Sequence, residues 1–282
     1  MSAHQTIRSD NGLSMDQIRA VVPSAFATKA WDKVSPRYGF VPTSDIIEGL
    51  QNTGFQVVQA GQSMTRMPDR VEAVRHVLRF RPQHAPVLAG QALPEVVLMN
   101  SHDGSSGFKM FAGLFRMVCA NGLIVSTSTL QAVTIHHRSN AVEVAQQKSL
   151  EFLGNVEYIG DSIGRFINCP IQENDAYKLA ALAARVRWGN EPPAGLNSRD
   201  LLTVRRYVDS YQNLWNVLNV IQENVIKGGV NLTRETRRST TRVLRSVADD
   251  VRVNMQLWGA AERFYNEGII DVPVENELMQ EN

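Results

Sequence analysis

The apolar positions of this chain change their period near residue 55 and again near residue 140. Before residue 55 the signals are helical. Ser14-Met15-Asp16-Gln17 has the spacing of a capping box, and the helix it opens should stop near Pro23. After a loop containing Pro36, Gly39 and Pro42, Thr43-Ser44-Asp45 should cap a second helix that ends at Gly54. From Phe55 to about Arg66 the pattern becomes that of a strand. The stretch VRHVLRFRP alternates strictly, placing Arg75, Val77, Arg79 and Arg81 on one face and His76, Leu78 and Phe80 on the other. A further apolar run covers residues 94–100 and is closed by the turn at His102-Asp103-Gly104. Residues 108–120 and 123–126 flank Asn121-Gly122, a dipeptide suited to a type I′ hairpin turn because both central residues need positive φ. QAVTIHH continues as another short strand. The centre of the chain therefore reads as an antiparallel meander.

From Asn140 onward the apolar residues recur at threes and fours. Val142, Leu150, Leu153, Val156, Ile159, Ile163 and Phe166 predict one long helix ended by Pro170, and a second helix should run from about Asn174 to Trp188. GNEPPAGLNS, with two prolines and two glycines, reads as a linker. Beyond it Tyr211, Leu214, Trp215, Leu218, Ile221 and Val225 mark an amphipathic helix closed by Lys227-Gly228-Gly229. A last helix should span from about Thr233 to just before Gly268. The expected fold class is α+β: a central antiparallel β-meander packed by a long helix, followed by a C-terminal helical region. The expected division is residues 1–189, a linker at 190–198, and a helical region at 199–282 that could pack on the first as one unit.

Composition narrows the function classes. The 282 residues are 43% hydrophobic and 20% charged, which is globular composition. No apolar run reaches the roughly 20 residues of a membrane-spanning helix, and the first residues lack the apolar core of a secretory signal. Two cysteines make no disulfide framework, so a reducing, cytoplasmic setting is expected. The formal net charge of +1 favours no class of partner, but the distribution of charge is uneven. On a helical wheel Arg234, Arg238, Arg242, Arg245 and Arg252 fall within roughly a quarter turn, with Arg237 nearby and Lys227 leading in. Val243, Val247, Val251, Met255 and Trp258 fall opposite. A second basic row, Arg75, Arg79 and Arg81, lies on the alternating strand, with Arg66 and Arg70 just before it. Guanidinium forks suit phosphate oxygens, so a basic strand beside a basic helix would form a phosphate-tracking groove, although a solvated helix face would look the same in sequence.

Other chemistry is thinly represented. His102-Asp103 and His136-His137 invite a metal reading, but adjacent strand residues point to opposite faces, and a turn set by Asp-Gly explains the first pair better. Cys119 sits in an apolar strand near a hairpin turn, where a packing role is favoured over a nucleophile. Alternation should send Arg116 and Cys119, three apart, to opposite faces. Common nucleotide, dinucleotide, zinc-protease and serine-hydrolase motifs are absent, so no cofactor is suggested, and an enzyme would need an uncatalogued site around His102, Asp103, Arg116 and Cys119.

Three blocks carry a resemblance to a known family: "YGFVPTSDIIEGLQNTGFQ" (residues 38–56), "LMNSHDGSSGFKMFAGLFRMVCANGLIV" (residues 98–125) and "NLWNVLNVIQENVIKGG" (residues 213–229). The chain resembles domain-of-unknown-function family 932, also called uncharacterised protein family 0380, over roughly residues 10 to 265. The resemblance implies a cytosolic protein of a mobile element, plasmid or prophage, of a kind often encoded near anti-restriction and recombination genes. It supplies no catalytic residues. By topology alone, a meander followed by a long helix is similar to the core of the single-strand annealing proteins of phage recombination, which usually form rings. The large C-terminal helical part and the missing lysine-rich helix depart from that pattern. The expected function is thus nucleic-acid binding, with single-stranded DNA favoured, in an annealing or recombination accessory that could form a homo-oligomer. The alternative is a protein-interaction factor that modulates a host defence or restriction complex through a host or phage partner. The expected contact residues are Arg75, Arg79, Arg81, Lys227, Arg234, Arg237, Arg238, Arg242 and Arg245. Trp215 and Tyr211, on an apolar stripe, are expected to pack rather than stack on a base.

Overall fold

The computed structural model of the chain describes residues 4–35, 38–125, 132–135, 140–210, 212–233 and 239–270. Its centre is an antiparallel sheet of β1 (His4–Arg8), β2 (Phe55–Ser63), β3 (His76–Pro82), β4 (Ala92–Asn100), β5 (Phe108–Arg116), β6 (Asn121–Val125) and β7 (Val133–Ile135). The strands lie in the order β1-β2-β3-β4-β5-β6. β7 shares the outer edge of β5 with β6: β6 pairs residues 112–116 and β7 pairs residues 108–110. From β2 to β6 chain neighbours are sheet neighbours, the meander expected from the alternating pattern. β1, too short to show a period, adds an unexpected strand along β2. Around the sheet stand α1 (Met15–Val21), α2 (Thr43–Asn52), α3 (Ala141–Gly154), α4 (Val156–Ile167), α5 (Glu173–Trp188), α6 (Leu214–Lys227) and α7 (Val247–Glu267), with a small hairpin of β8 (Asn231–Leu232) and β9 (Ser239–Thr240). The fold class is α+β, and among the described residues no helix is long and apolar enough to cross a membrane.

Both faces of the sheet are covered. On one, Leu78, Phe80, Val96, Leu98, Met110 and Leu114 join a large apolar cluster with α1 to α6 and with Val253, Leu257 and Trp258 of α7. On the other, Val77, Val97, Met99, Phe111 and Ile124 pack against Val247, Val251 and Met255 of α7. α7 is therefore wedged between sheet and helices with apolar residues on more than one side. The larger cluster contains residues from Leu13 to Ala261. Within the expected linker, the Gly195 carbonyl accepts a hydrogen bond from the Thr233 N–H at 2.9 Å.

Four local expectations are corrected. The α1 capping box forms as read, with Ser14 and Gln17 bonding each other's backbone. Thr43, by contrast, does not cap α2: Pro42 occupies the cap position, and the buried Thr43 hydroxyl goes to side chains across the core. In the second hairpin Asn121 and Gly122 lie in β6, paired with Arg116 and Phe115, and the turn is residues 117–120 with Ala120 at φ +50°. The expected long helix breaks into α3 and α4 at Gly154-Asn155, two residues that favour helix ends; the Asn155 side chain donates to the Glu151 carbonyl. Finally, the last helix begins at Val247, capped by Ser246, whose hydroxyl accepts from the Asp249 N–H. Residues 239–241 instead return alongside 230–232, with Thr241 N–H donating to the Val230 carbonyl at 2.8 Å.

Candidate nucleic-acid interface and the buried ionic clusters

The sheet row separates by exposure. Arg75, Arg79 and Arg81 share a face as the alternation demands, and Val77 between them packs toward α7. Arg75 lies at the end of the sheet and donates to the Ser105 carbonyl at 2.7 Å. Arg79 and Arg81 are only 3% and 5% exposed. Both grip Glu95 of β4, which is also buried: Arg79 Nη1 lies 3.2 Å from one carboxylate oxygen and Arg81 Nη2 lies 2.8 Å from the other. Arg8 of β1 reaches the same carboxylate at 3.4 Å and lays its guanidinium 3.4 Å over the Phe115 ring. Burial lowers the Arg8 pKa, and Glu95 partly offsets this. Arg81 also meets Asp10 at 3.3 Å. The carboxyl of Asp250 on α7 is pushed up by burial, with Arg79 opposing the rise. Space for the Arg79 guanidinium comes from two glycines. A Cβ on Gly122 would stand 2.6 Å from Arg79 Cζ, and one on Gly113 would stand 2.7 Å from Val97 and 3.4 Å from Arg79 Nη1. Gly122 is thus needed for room beside a guanidinium, at a φ outside the left-handed region. Three guanidiniums on a shared carboxylate hold β1, β3 and β4 together, and phosphate cannot reach Arg79 or Arg81 without displacing Glu95.

A second ionic cluster lies at the β5–β6 turn. Arg116 and Asp209, 3% and 2% exposed in their side chains, meet at 2.7 Å. Cys119 returns from the turn to accept from Arg116 Nη1 at 3.8 Å, so the two share a site instead of taking opposite faces. Alternation ends with the strand at Arg116. Beside them Arg206 forks onto Glu223 at 2.6 and 2.7 Å. Lys227 also bonds Glu223, at 3.1 Å, and donates to the Cys119 carbonyl. Burial pushes the Glu223 carboxyl up, but hydrogen bonds from Arg206 and Lys227 outweigh it and hold it below its usual range. Lys227 is therefore tied to this cluster. Trp215 is 1% exposed and packs under Gly90, as expected of a stripe residue; Tyr211 lies outside the described residues.

His102 belongs to a third cluster. The Thr43 hydroxyl stands 3.0 Å from His76 Nε2 and 3.4 Å from His102 Nε2, and Asn100 donates to it at 3.1 Å. All four residues are buried. Burial lowers the His76 pKa to about 4. Asp103 shapes the turn by accepting from the Ser105 N–H at 2.9 Å, and Arg70 donates to its other oxygen. Burial and the Asp103 charge push the Tyr38 hydroxyl up to about 12. Among the described residues no group of three or more His, Cys, Asp or Glu is placed to hold a metal; His136 and His137 lie outside them. The length of β5 separates His102 and Asp103 from Arg116 and Cys119 by roughly 25 Å, so these four form no common site.

The segment between β9 and α7 is accessible. Arg242 and Arg245 are exposed there, and Arg242 makes no ion pair among the described residues. Arg234, Arg237 and Arg238, between β8 and β9 in the sequence, lie outside the described residues. Arg252, expected on the same arginine face, is turned inward: it donates to the Val186 carbonyl at 2.8 Å and pairs with Asp249 at 3.1 Å. The Gly228-Gly229 pair has positive φ at both residues, and a Cβ on Gly228 would stand 2.6 Å from the Arg242 backbone carbon. The close return of residues 241–242 over the end of α6 thus depends on glycine. Sequence reading missed Arg8, Glu95 and Asp209; a lone glutamate in the apolar run of β4 was the available signal.

The profile of the family described as "Domain of unknown function (DUF932)" matches residues 30–258. The UPF0380 protein YafZ of Escherichia coli (strain K12) is 35% identical over 264 residues, covering 92% of this chain and 94% of the relative. The UPF0380 protein YfjQ of the same strain is 34% identical over 261 residues, with the same two shares. No solved structure matches the chain. A match over most of the chain, together with these two relatives, places the chain in the DUF932 (UPF0380) family of uncharacterised proteins.

Proposed function

We propose that the chain is a non-enzymatic nucleic-acid-binding protein, with single-stranded DNA its favoured ligand, acting as an annealing or recombination accessory of a mobile element. The observation that carries this reading is the contrast in charge around residues 234–245. Five arginines stand there against one glutamate, and both described members, Arg242 and Arg245, are exposed. Phosphate oxygens are the natural acceptors for such a set. Of the sheet row, Arg75 stays a candidate contact, while Arg79 and Arg81 act as internal ties. The test is fluorescence anisotropy with labelled single- and double-stranded DNA. Binding should tighten as salt falls, and Arg242→Gln with Arg245→Gln should weaken it; equal binding by the folded double variant contradicts the reading.

A second reading, a factor that docks on a host defence or restriction protein, is favoured by one observation. Val204, Tyr207 and Val208 are exposed, Tyr207 to 85%, beside Arg206. Capture of a partner that survives nuclease treatment and is lost in Tyr207→Ser would favour it over the first.

A further inference from the structure

The last turn of α5 and the middle of α7 enclose a groove of about 530 Å³, within the range of small-ligand sites. Arg185, Arg187 and Trp188 line it from α5, and Arg252 and Gln256 from α7. Arg252 is fixed by its bonds to the Val186 carbonyl, Asp249 and Gln256, so one wall is rigid. Arg187 differs from the arginines of the ionic clusters in lacking a carboxylate partner. Arg8, Arg79, Arg81, Arg116 and Arg206 each lie within 3.4 Å of a carboxylate oxygen. Arg187, half-buried in the groove, makes no hydrogen bond or ion pair among the described residues; its Nε is buried without a partner, as are those of Arg8, Arg81 and Arg116. Its guanidinium lies 5.4 Å from the ring of Trp188, which is itself half-buried. The nearby carboxylate, Asp249, is already taken by Arg252 at 3.1 Å. The groove therefore combines three guanidiniums against one acid, an indole face and the apolar Leu182 and Val186.

We infer that this groove binds a nucleotide, its phosphate held by Arg187 and Arg185 and its base set against Trp188. Forked guanidiniums recognise phosphate oxygens in pairs, and an indole stacks on any base. A simple inorganic anion would use the arginines and leave the indole idle. The nucleotide could be free or a unit of a strand; the chemistry is shared. The groove uses residues other than Arg242 and Arg245, so it stands if the strand-binding reading above fails. Its position is still connected to that segment: beyond Gly189, where the chain leaves the groove, the Gly195 carbonyl accepts from the N–H of Thr233, the residue after β8.

The test is calorimetry of the intact chain with adenosine 5′-monophosphate, adenosine and inorganic phosphate, and anisotropy with a short oligodeoxythymidylate. Adenosine monophosphate should bind more tightly than adenosine or phosphate alone. Arg187→Gln and Trp188→Leu should each weaken it at least tenfold with unfolding still cooperative, and the Arg242/Arg245 double variant should bind it as the parent does. Loss of oligonucleotide binding in Arg187→Gln and Trp188→Leu, without measurable binding of the free nucleotide, would assign the groove to a strand. Binding of nucleotide and oligonucleotide unchanged by Arg187→Gln, or phosphate bound as tightly as the nucleotide, would overturn the inference, as would no binding of either ligand.

Discussion

Arg79 and Arg242 are the same side chain put to opposite uses. Arg79 lies on a two-sided sheet where α7 covers one face, with a buried glutamate opposite and a glycine cut away to admit it. Arg242 lies on a segment that follows a hairpin over the end of α6, exposed and without an ion pair among the described residues. Both looked like members of a basic row. Periodicity states which face a residue takes, and exposure depends on whether another element covers that face. A charge row on a strand is therefore weak evidence for a polyanion surface until the sheet is known to be one-sided. Desolvation divides the two further: a buried guanidinium is held only by its partner, whereas an exposed one can exchange water for phosphate at small cost.

Breaking the buried side of this comparison should have the largest effect. Glu95→Ala leaves Arg79 and Arg81 buried without their shared carboxylate, and should destabilise the fold by about 3–5 kcal/mol in denaturant unfolding. A loss under about 1 kcal/mol would mean that water or Asp10 already serves these arginines. Next comes His76. Its folded pKa, about 4, lies below the ordinary histidine value because burial disfavours the charged ring. The unfolded chain then binds the proton more readily between the two values. Stability should be full above about pH 6.5 and fall as the pH drops toward 4, by about 3 kcal/mol in all. In His76→Gln this slope should shrink by about one proton. An unchanged slope would move the acid sensitivity to another group. Gly122→Ala sharpens the packing claim at Arg79 and should cost about 1–3 kcal/mol. With Arg79→Met in the same chain, the two costs should add to less than their sum, since the clash is with the guanidinium. The smallest effect on stability belongs to Arg242→Gln with Arg245→Gln, within about 0.5 kcal/mol.

Much of the sheet was legible because β3, β4 and β5 carry their own signals, alternation in the first and turns at their ends. The hairpin at residues 117–120 shows the limit. Asn121-Gly122 is a strong turn signal, yet Gly122 answers a demand made by Arg79, 43 positions earlier in the chain, which no local pattern displays. The start of α7 failed for a related reason. Arginines at spacings of four and three mimic a helical face, but residues 239–241 pair with 230–232, and the true start was written in Ser246 and Asp249, a serine with an acid three residues on. The long helix from Asn140 failed at Gly154-Asn155 because apolar period alone runs through a break that two poor helix formers make. Of the candidate site, residue type was legible and accessibility was not. Arg79, Arg81 and Lys227 are taken by Glu95 and Glu223, partners far from them or, for Lys227, one helical turn away on α6.

The measurement that tests the central claim most directly is the salt dependence of single-stranded DNA binding by the parent chain and by the Arg242→Gln, Arg245→Gln variant. If these exposed arginines each neutralise one phosphate, the slope of log affinity against log salt should become shallower by roughly 1.4 in the variant, with a cooperative unfolding transition retained. An unchanged slope in a folded variant, or no binding by the parent chain even at low salt, would contradict the account.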